Sequence, residues 1–144
     1  MLNHDWIASH IPHRGNMCLL HAALEWNEQR IVCEAIGHGA PEHPLRARGR
    51  LGAAVGVEYA AQAMAVHGAL LASEATPVNQ GYLTSVRDLK LYVDRLDDLP
   101  GTIRVSAERL SGDARLVLYR FELEHRGVCL LAGRASVVFD AQAL

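Results

Sequence analysis

The stretch Leu51–Leu71 reads LGAAVGVEYAAQAMAVHGALL, and the rest of the chain is best understood around it. At about 1.5 Å of rise per residue it would form a helix of about 30 Å. Apolar residues occupy nearly every side of that helix, which predicts that other parts of the protein cover it all round. Glu58 is the one carboxylate in it. A carboxylate in apolar surroundings is costly unless it is protonated, paired or used in chemistry.

Extended segments flank this helix on both sides. Before it, apolar runs over Met17–Trp26 and Arg30–Ile36 are separated by Asn27-Glu28-Gln29, which predicts a β-hairpin. Asp5–Ile11 is predicted to form a short helical turn that Pro12 ends. After the helix, four further strands are predicted at Tyr82–Val93, Thr102–Leu110, Leu116–Glu124 and Val128–Phe139.

Turn-forming residues separate these segments. Residues 37–50 are rich in Gly, Pro and charge and are predicted to be a loop, and Thr76-Pro77 and Asn79-Gln80-Gly81 indicate turns. Ser111-Gly112-Asp113 and His125-Arg126-Gly127 are predicted to be turns between the later strands. A helix that is apolar all round needs a strongly curved sheet, and a second subunit would cover it further. The expected fold is therefore α+β, in a single domain over residues 1–144.

The composition excludes several classes of protein. A net charge of -2 gives no basic surface for nucleic acid, and half of the residues are hydrophobic, as in an ordinary globular domain. The three scattered cysteines indicate neither a disulfide framework nor a zinc site. The N-terminus lacks the pattern of a signal peptide, so a cytoplasmic protein is expected. A membrane span over Leu51–Leu71 is disfavoured by Glu58 and by the arginines that precede it.

Three motifs, in order, carry a resemblance to a known family. Ile11–Arg14 followed by Met17–Leu20 resembles an early I/L-P-H-R…LL signature. His43-Pro44 and then Glu58–Ala63 resemble the H-F-P…E-x-x-A-Q-A pattern of a loop and a central helix. Gly81–Arg87 occupies the place of a strand motif after that helix. Together they resemble the hotdog-fold β-hydroxyacyl-acyl-carrier-protein dehydratases of the FabZ/FabA type.

The resemblance implies both a fold and an activity. The hotdog fold is a curved antiparallel β-sheet wrapped around one long central α-helix. The variant G-x-E-Y-x-A-Q-A, which begins at Gly56, resembles the ApeP-like subgroup associated with aryl polyene biosynthesis. The implied reaction is dehydration of 3-hydroxyacyl thioesters to trans-2-enoyl thioesters in fatty acid or polyketide synthesis. The substrate would ride on the phosphopantetheine of an acyl carrier protein, and the enzyme itself would use no cofactor and no metal.

The resemblance also implies roles for particular residues. Glu58, with a pKa raised by burial, is expected to be the catalytic acid, and His43 is expected to be the base. Backbone N–H groups at Gly52 and Ala53, near the start of the helix, are expected to hold the thioester carbonyl. Gln62 lies one turn from Glu58 on the same face and is expected to orient it.

Other polar residues have more ordinary interpretations. His13 is interpreted as a structural hydrogen-bonding residue, and His67, two and a half turns beyond Glu58, as a packed or rim residue. Arg46, Arg48 and Arg50 either meet the phosphate of a carrier's arm or an acidic carrier surface, or form a solvated basic loop.

Two alternative functions stay open, because one fold hosts several chemistries. The first is an acyl thioesterase, in which Glu58 activates a water molecule. The second is a non-catalytic subunit that binds acyl chains or supports a catalytic partner. The protein is expected to form a homodimer, a higher oligomer of dimers or a heterodimer with a second dehydratase subunit.

Overall fold

A seven-stranded antiparallel sheet curves around one long helix in the computed structural model, which describes residues 1–13, 15–72, 81–113 and 115–139. The strands run in the spatial order β1-β2-β3-β5-β6-β7-β4. Their bounds are β1 Leu2–Asn3, β2 Ala22–Trp26, β3 Arg30–Ala35, β4 Tyr82–Leu91, β5 Ile103–Gly112, β6 Leu116–His125 and β7 Val128–Val138. The helices are α1 His4–His10 and α2 Gly56–Leu71, with short 3-10 turns at Gly15–Met17 and Ala53–Val55. This architecture confirms the predicted hotdog fold.

The central helix α2 follows an extended residue and a 3-10 turn. Gly52 has φ -64° and ψ 149°, and the chain then tightens through Ala53–Val55 before the α-helix begins at Gly56. Most of the helix is buried against the sheet, as predicted. One stripe is only half-buried, and it comprises Val57, Glu58, Ala61 and Ala65. The sheet of this chain therefore covers most of the helix, as predicted, and leaves the face that carries Glu58 half-buried.

Apolar and polar residues alternate along β5 and β6, and the apolar positions face inward. Ile103 and Val105 on β5 and Tyr119 and Phe121 on β6 are buried in the core beneath α2. Strand β5 runs to Gly112, so the predicted turn at Ser111-Gly112-Asp113 begins later than expected. Gly112 has φ +137°, and a side chain there would collide with the Leu116 carbonyl.

A tight hairpin turn joins β6 to β7, as predicted at His125-Arg126-Gly127. Arg126 and Gly127 have φ 51° and 82°, the left-handed backbone of a two-residue hairpin turn between β6 and β7. The turns predicted at Thr76-Pro77 and Asn79-Gln80 lie outside the described residues.

Strand β2 is shorter than predicted. It begins at Ala22, whereas the apolar run that suggested it begins at Met17. The segment from Met17 to Leu19 bonds instead to the side chain of Gln62 on α2. The apolar run predicts a strand here, whereas a helix side chain satisfies the backbone groups of Met17 and Leu19.

The edge strand β4 is open to solvent. Among the described residues it pairs only with β7, and the side chains of Leu83, Leu89 and Leu91 are between 38% and 47% exposed. None of the helices in the described residues is long and apolar enough to cross a membrane.

Candidate functional site

Glu58 lies in the first turn of α2, on the half-buried stripe, with 34% of its side chain exposed. Its Oε1 atom is 2.9 Å from His13 Nε2 and 3.1 Å from Gln62 Nε2. The carboxylate is therefore held by two donors from different parts of the chain while it remains open to solvent. A hydrogen-bonded carboxylate within reach of an imidazole is suited to proton transfer.

The electrostatics of Glu58 correct one expectation. Burial in an apolar helix predicts a raised pKa, but the hydrogen bond from His13 holds the pKa of the Glu58 carboxyl below its ordinary value. Burial opposes this shift and the bond from Gln62 reinforces it. Donors to the charged form outweigh desolvation because the side chain is only partly buried. Glu58 is therefore anionic near neutral pH in this arrangement.

Gln62 is hydrogen-bonded to Glu58, and it also ties the helix to the segment before β2. Its Nε2 donates to Met17 O at 2.7 Å as well as to Glu58, and its Oε1 accepts from Leu19 N at 2.8 Å. The side chain is fully buried and every part of its amide is engaged. This leaves the amide one orientation, so it fixes Glu58 firmly.

His13 is a functional candidate that the sequence does not single out. The sequence favours a structural role for it, yet its Nε2 contacts the Glu58 carboxylate directly. Its Nδ1 atom is buried and has no hydrogen-bond partner in the described part of the chain. The signal that pointed to it was its place in the Ile11-Pro12-His13-Arg14 motif; the contact itself joins residues that are far apart in sequence.

His43 lies in a different environment. Its Nε2 is 2.9 Å from Tyr59 Oη, and its Nδ1 accepts from Leu45 N at 3.1 Å. Because Nδ1 is an acceptor, a neutral ring carries its proton on Nε2 and donates it to Tyr59. Burial lowers the pKa of His43, and the charges of His38 and Arg46 lower it further.

The structure does not bring the predicted pair together within one chain. Among the described residues, no hydrogen bond or ion pair joins His43 to Glu58, and both nitrogens of His43 are engaged elsewhere. Tyr59, the neighbour of Glu58 in sequence, points its hydroxyl to His43 inside the protein. The catalytic role of His43 stays a prediction.

The two predicted backbone donors differ in availability. Ala53 N donates to Asp94 O at 3.0 Å, so this amide is already engaged. Gly52 is half-buried, and apart from Gly52 and its two chain neighbours no protein atom lies within 4 Å of the position that a Cβ would take. Gly52 is therefore the more accessible of the two positions.

The three arginines of the loop before α2 also differ in availability. Arg46 donates to the carbonyl of Gly49 at 2.9 Å and lies 3.6 Å from Asp97, which Arg95 also contacts. Arg46 is thus part of the loop's internal structure. Arg48 and Arg50 are exposed. Within the described chain, no group of three His, Cys, Asp or Glu side chains is placed to hold a metal ion.

Comparison with known protein families shows which family this chain belongs to. The family model of the ApeP-like proteins, described as ApeP dehydratase, matches residues 6–143. The chain belongs to the ApeP-like dehydratase family. No curated protein matches the chain.

Solved structures agree on the fold. One subunit of the dehydratase heterocomplex ApeI:P from Xenorhabdus doucetiae superposes with a TM-score of 0.83 at 18% identity, covering 95% of this chain and 92% of that one. Thioesterase superfamily member 2 of zebra fish gives a TM-score of 0.65 at 16% identity, covering 95% and 93%. A mutant of the thioesterase PA1618 from Pseudomonas aeruginosa gives 0.60 at 11% identity, covering 83% and 79%. These likenesses show the hotdog fold.

Proposed function

We propose that the chain dehydrates 3-hydroxyacyl thioesters carried on an acyl carrier protein to trans-2-enoyl thioesters, in fatty acid or aryl polyene-type polyketide synthesis. The reaction removes a proton from Cα and the hydroxyl from Cβ, so one water leaves for each double bond formed. The observation that carries the proposal is the Glu58–His13 contact of 2.9 Å on an accessible face of the central helix. Membership of a dehydratase family supports the reaction class.

The Glu58–His13 pair holds the groups that both proton transfers need. Glu58 as carboxylate takes the Cα proton, and His13 as imidazolium gives a proton to the departing hydroxyl. A proton then passes from Glu58 to His13 along their hydrogen bond and restores the starting state. This assignment differs from the sequence-based one, in which Glu58 is the acid and His43 the base. The reversal follows from the lowered pKa of Glu58.

The thioester carbonyl needs a donor as negative charge grows on its oxygen. Gly52 N–H is proposed for this role, because the 3-10 turn and α2 begin directly after it and the position that a Cβ would take is open. Ala53, the second predicted donor, supports the loop through Asp94 in the present conformation. Arg48 and Arg50 are left to meet an acidic carrier.

A second subunit is proposed to pair with the exposed edge strand β4 and to cover the half-buried stripe of α2. The row of unpaired backbone groups on such an edge is a ready template for another strand. The leucines on β4 add apolar surface that is 38% to 47% exposed. The partner is a second copy or a related dehydratase subunit, and the assembly works beside its carrier protein in the cytoplasm.

The second candidate function is a supporting, non-catalytic subunit of such an assembly. The observation that favours it is the engagement of both His43 nitrogens, which leaves the histidine expected as base unavailable. The solved relative from Xenorhabdus doucetiae is itself a heterocomplex. Hydrolysis of the thioester by a Glu58-activated water is the remaining alternative.

One assay separates these functions. The purified chain, alone and with its cognate dehydratase subunit, is incubated with a 3-hydroxyacyl carrier protein. The mass of the carrier-bound product is then measured by mass spectrometry. Loss of the mass of one water is expected. Release of free acid would contradict the proposal in favour of a thioesterase. Water loss that requires the second subunit and survives Glu58→Gln in this chain would assign it the supporting role.

A further inference from the structure

Three arginines stand side by side on the sheet face that points away from α2. Arg134 on β7 is the register partner of Arg87 on β4 and also of Arg120 on β6. Their neighbours Ala135 and Tyr119 point into the core, so the arginines point outward. Side chains at directly opposite positions of neighbouring strands are about 5 Å apart at Cβ, and like charges there destabilise the pairing.

Elsewhere on this face the charges alternate. Arg104 on β5 has Glu34 and Glu124 as its register partners, so each neighbour is an acid. The arginine row, defined as Arg87, Arg134 and Arg120, lacks this compensation between its members. The contrast shows that the row is not a general feature of the outer surface.

The acids around the arginine row compensate it only in part. Arg134 Nε is 3.4 Å from Asp88 Oδ2, and Arg120 Nη1 is 3.5 Å from Glu108 Oε1. Both pairs are largely exposed, and such pairs contribute little. In the described part of the chain, Arg87 contacts no acceptor. The adjacent row carries Lys90 and Glu122, one charge of each sign.

A depression of about 350 Å³ adjoins Arg87 and Arg134. Hydroxyl groups line it from three strands, and among the described residues they make no hydrogen bonds of their own; they belong to Ser85, Ser111 and Ser136. The side chains of Leu116 and Leu118 form its apolar side. The pocket therefore combines two guanidinium groups, free hydroxyls and a small apolar wall.

We propose that the arginine row and this pocket bind a phosphate ester. The phosphate lies between Arg87 and Arg134, because guanidinium groups hold phosphate oxygens through paired, charge-assisted hydrogen bonds. The esterified group lies against the serine hydroxyls and the leucine wall. Binding neutralises the repulsion within the row. The inference rests on the outer face of the sheet and does not depend on the proposed activity of Glu58.

Calorimetric titration with 4′-phosphopantetheine tests the proposal, with pantetheine as the phosphate-free match. The phosphorylated probe is expected to bind, and to bind at least about tenfold more tightly than pantetheine. Arg87→Gln and Arg134→Gln should each weaken binding about tenfold or more. Affinity should also fall as ionic strength rises, since the site is open to solvent.

Arg104→Gln is the matched control, because it removes the same charge from the same face. It should leave affinity within about twofold of the parent protein, since long-range surface charge is screened. Equal binding of the two probes, or an equal loss with Arg104→Gln, would overturn the proposal. A third outcome would also overturn it: 4′-phosphopantetheine does not bind, whereas an acidic carrier protein without phosphopantetheine binds and loses binding with Arg87→Gln. Binding is measured without turnover, so a failure here leaves the dehydration assay unaffected.

Discussion

Two polar clusters on the same helix, nine residues apart, are built in opposite ways. Near the start of α2, Glu58 is held by Gln62 and His13 on a face that solvent reaches. Toward its end, His67 is fully buried, with Nδ1 2.8 Å from Tyr119 Oη and Nε2 2.8 Å from Asn27 O. The first cluster contains a partly exposed charge, and the second contains a neutral ring whose two nitrogens are both hydrogen-bonded.

The difference separates chemistry from support. In the buried cluster, His67 donates Nε2–H to Asn27 O and accepts from Tyr119, so no proton is left to exchange with a ligand. Burial lowers the pKa of His67 and keeps it neutral. In the open cluster, a carboxylate and an imidazole lie 2.9 Å apart on a face that solvent reaches. Substitutions in the open cluster are therefore expected to change turnover, and substitutions in the buried cluster are expected to change stability.

The largest effect is expected at Glu58. Glu58→Gln keeps the shape and the bond to Gln62 but removes the carboxylate, so turnover should fall by about 10²–10⁴-fold. Steady-state rates on a 3-hydroxyacyl carrier protein check this, with circular dichroism and urea unfolding as controls for the fold. Unchanged turnover in a folded variant would remove Glu58 from the mechanism.

At the buried end, the expected loss is in stability. His67→Ala leaves Tyr119 Oη and Asn27 O without a partner and opens a cavity, so the unfolding free energy should drop by about 3 kcal/mol. Urea denaturation of the variant beside the parent measures it. A loss no greater than that of Glu58→Gln would contradict the distinction between the two clusters.

Removing one hydroxyl should have a smaller effect. Tyr119→Phe deletes a single hydrogen bond to His67 and should cost about 1 kcal/mol of unfolding free energy. Tyr59→Phe is the matched variant, because it deletes the corresponding bond to His43. Both should keep near-parental turnover, and a large loss of turnover in Tyr59→Phe alone would bring His43 back into the chemistry.

The smallest predicted effect is a dependence of stability on pH. Burial lowers the native pKa of His67; the bond to Asn27 opposes this shift and Arg109 adds to it. The unfolded chain therefore binds more protons than the native one below the ordinary histidine pKa of 6.5, and stability falls as the pH is lowered through that window. His67→Gln should reduce the slope of the unfolding free energy against pH between about pH 7 and 5. An unchanged slope would show that His67 is not buried as a neutral ring.

Much of the fold followed from local patterns, because alternation along β5 and β6 and the apolar stretch of α2 report directly on burial. Strand β2 was predicted too long, since Met17 and Leu19 bond to Gln62, and no local pattern reveals such a contact. For the site, Glu58 and Gln62 lie one helical turn apart, so their contact was predictable. The contact with His13 depends on tertiary packing between distant segments, and the lowered pKa of Glu58 depends on that contact.

The central claim is that His13, rather than His43, shares the proton with Glu58. The most direct test is kcat across pH for His13→Gln and His43→Gln, measured side by side in the same assembly. His13→Gln is expected to lower kcat about 100-fold across the pH range, whereas His43→Gln is expected to stay within about threefold and to keep the parental profile. The reverse pattern, with His43→Gln inactive and His13→Gln near normal, would contradict it.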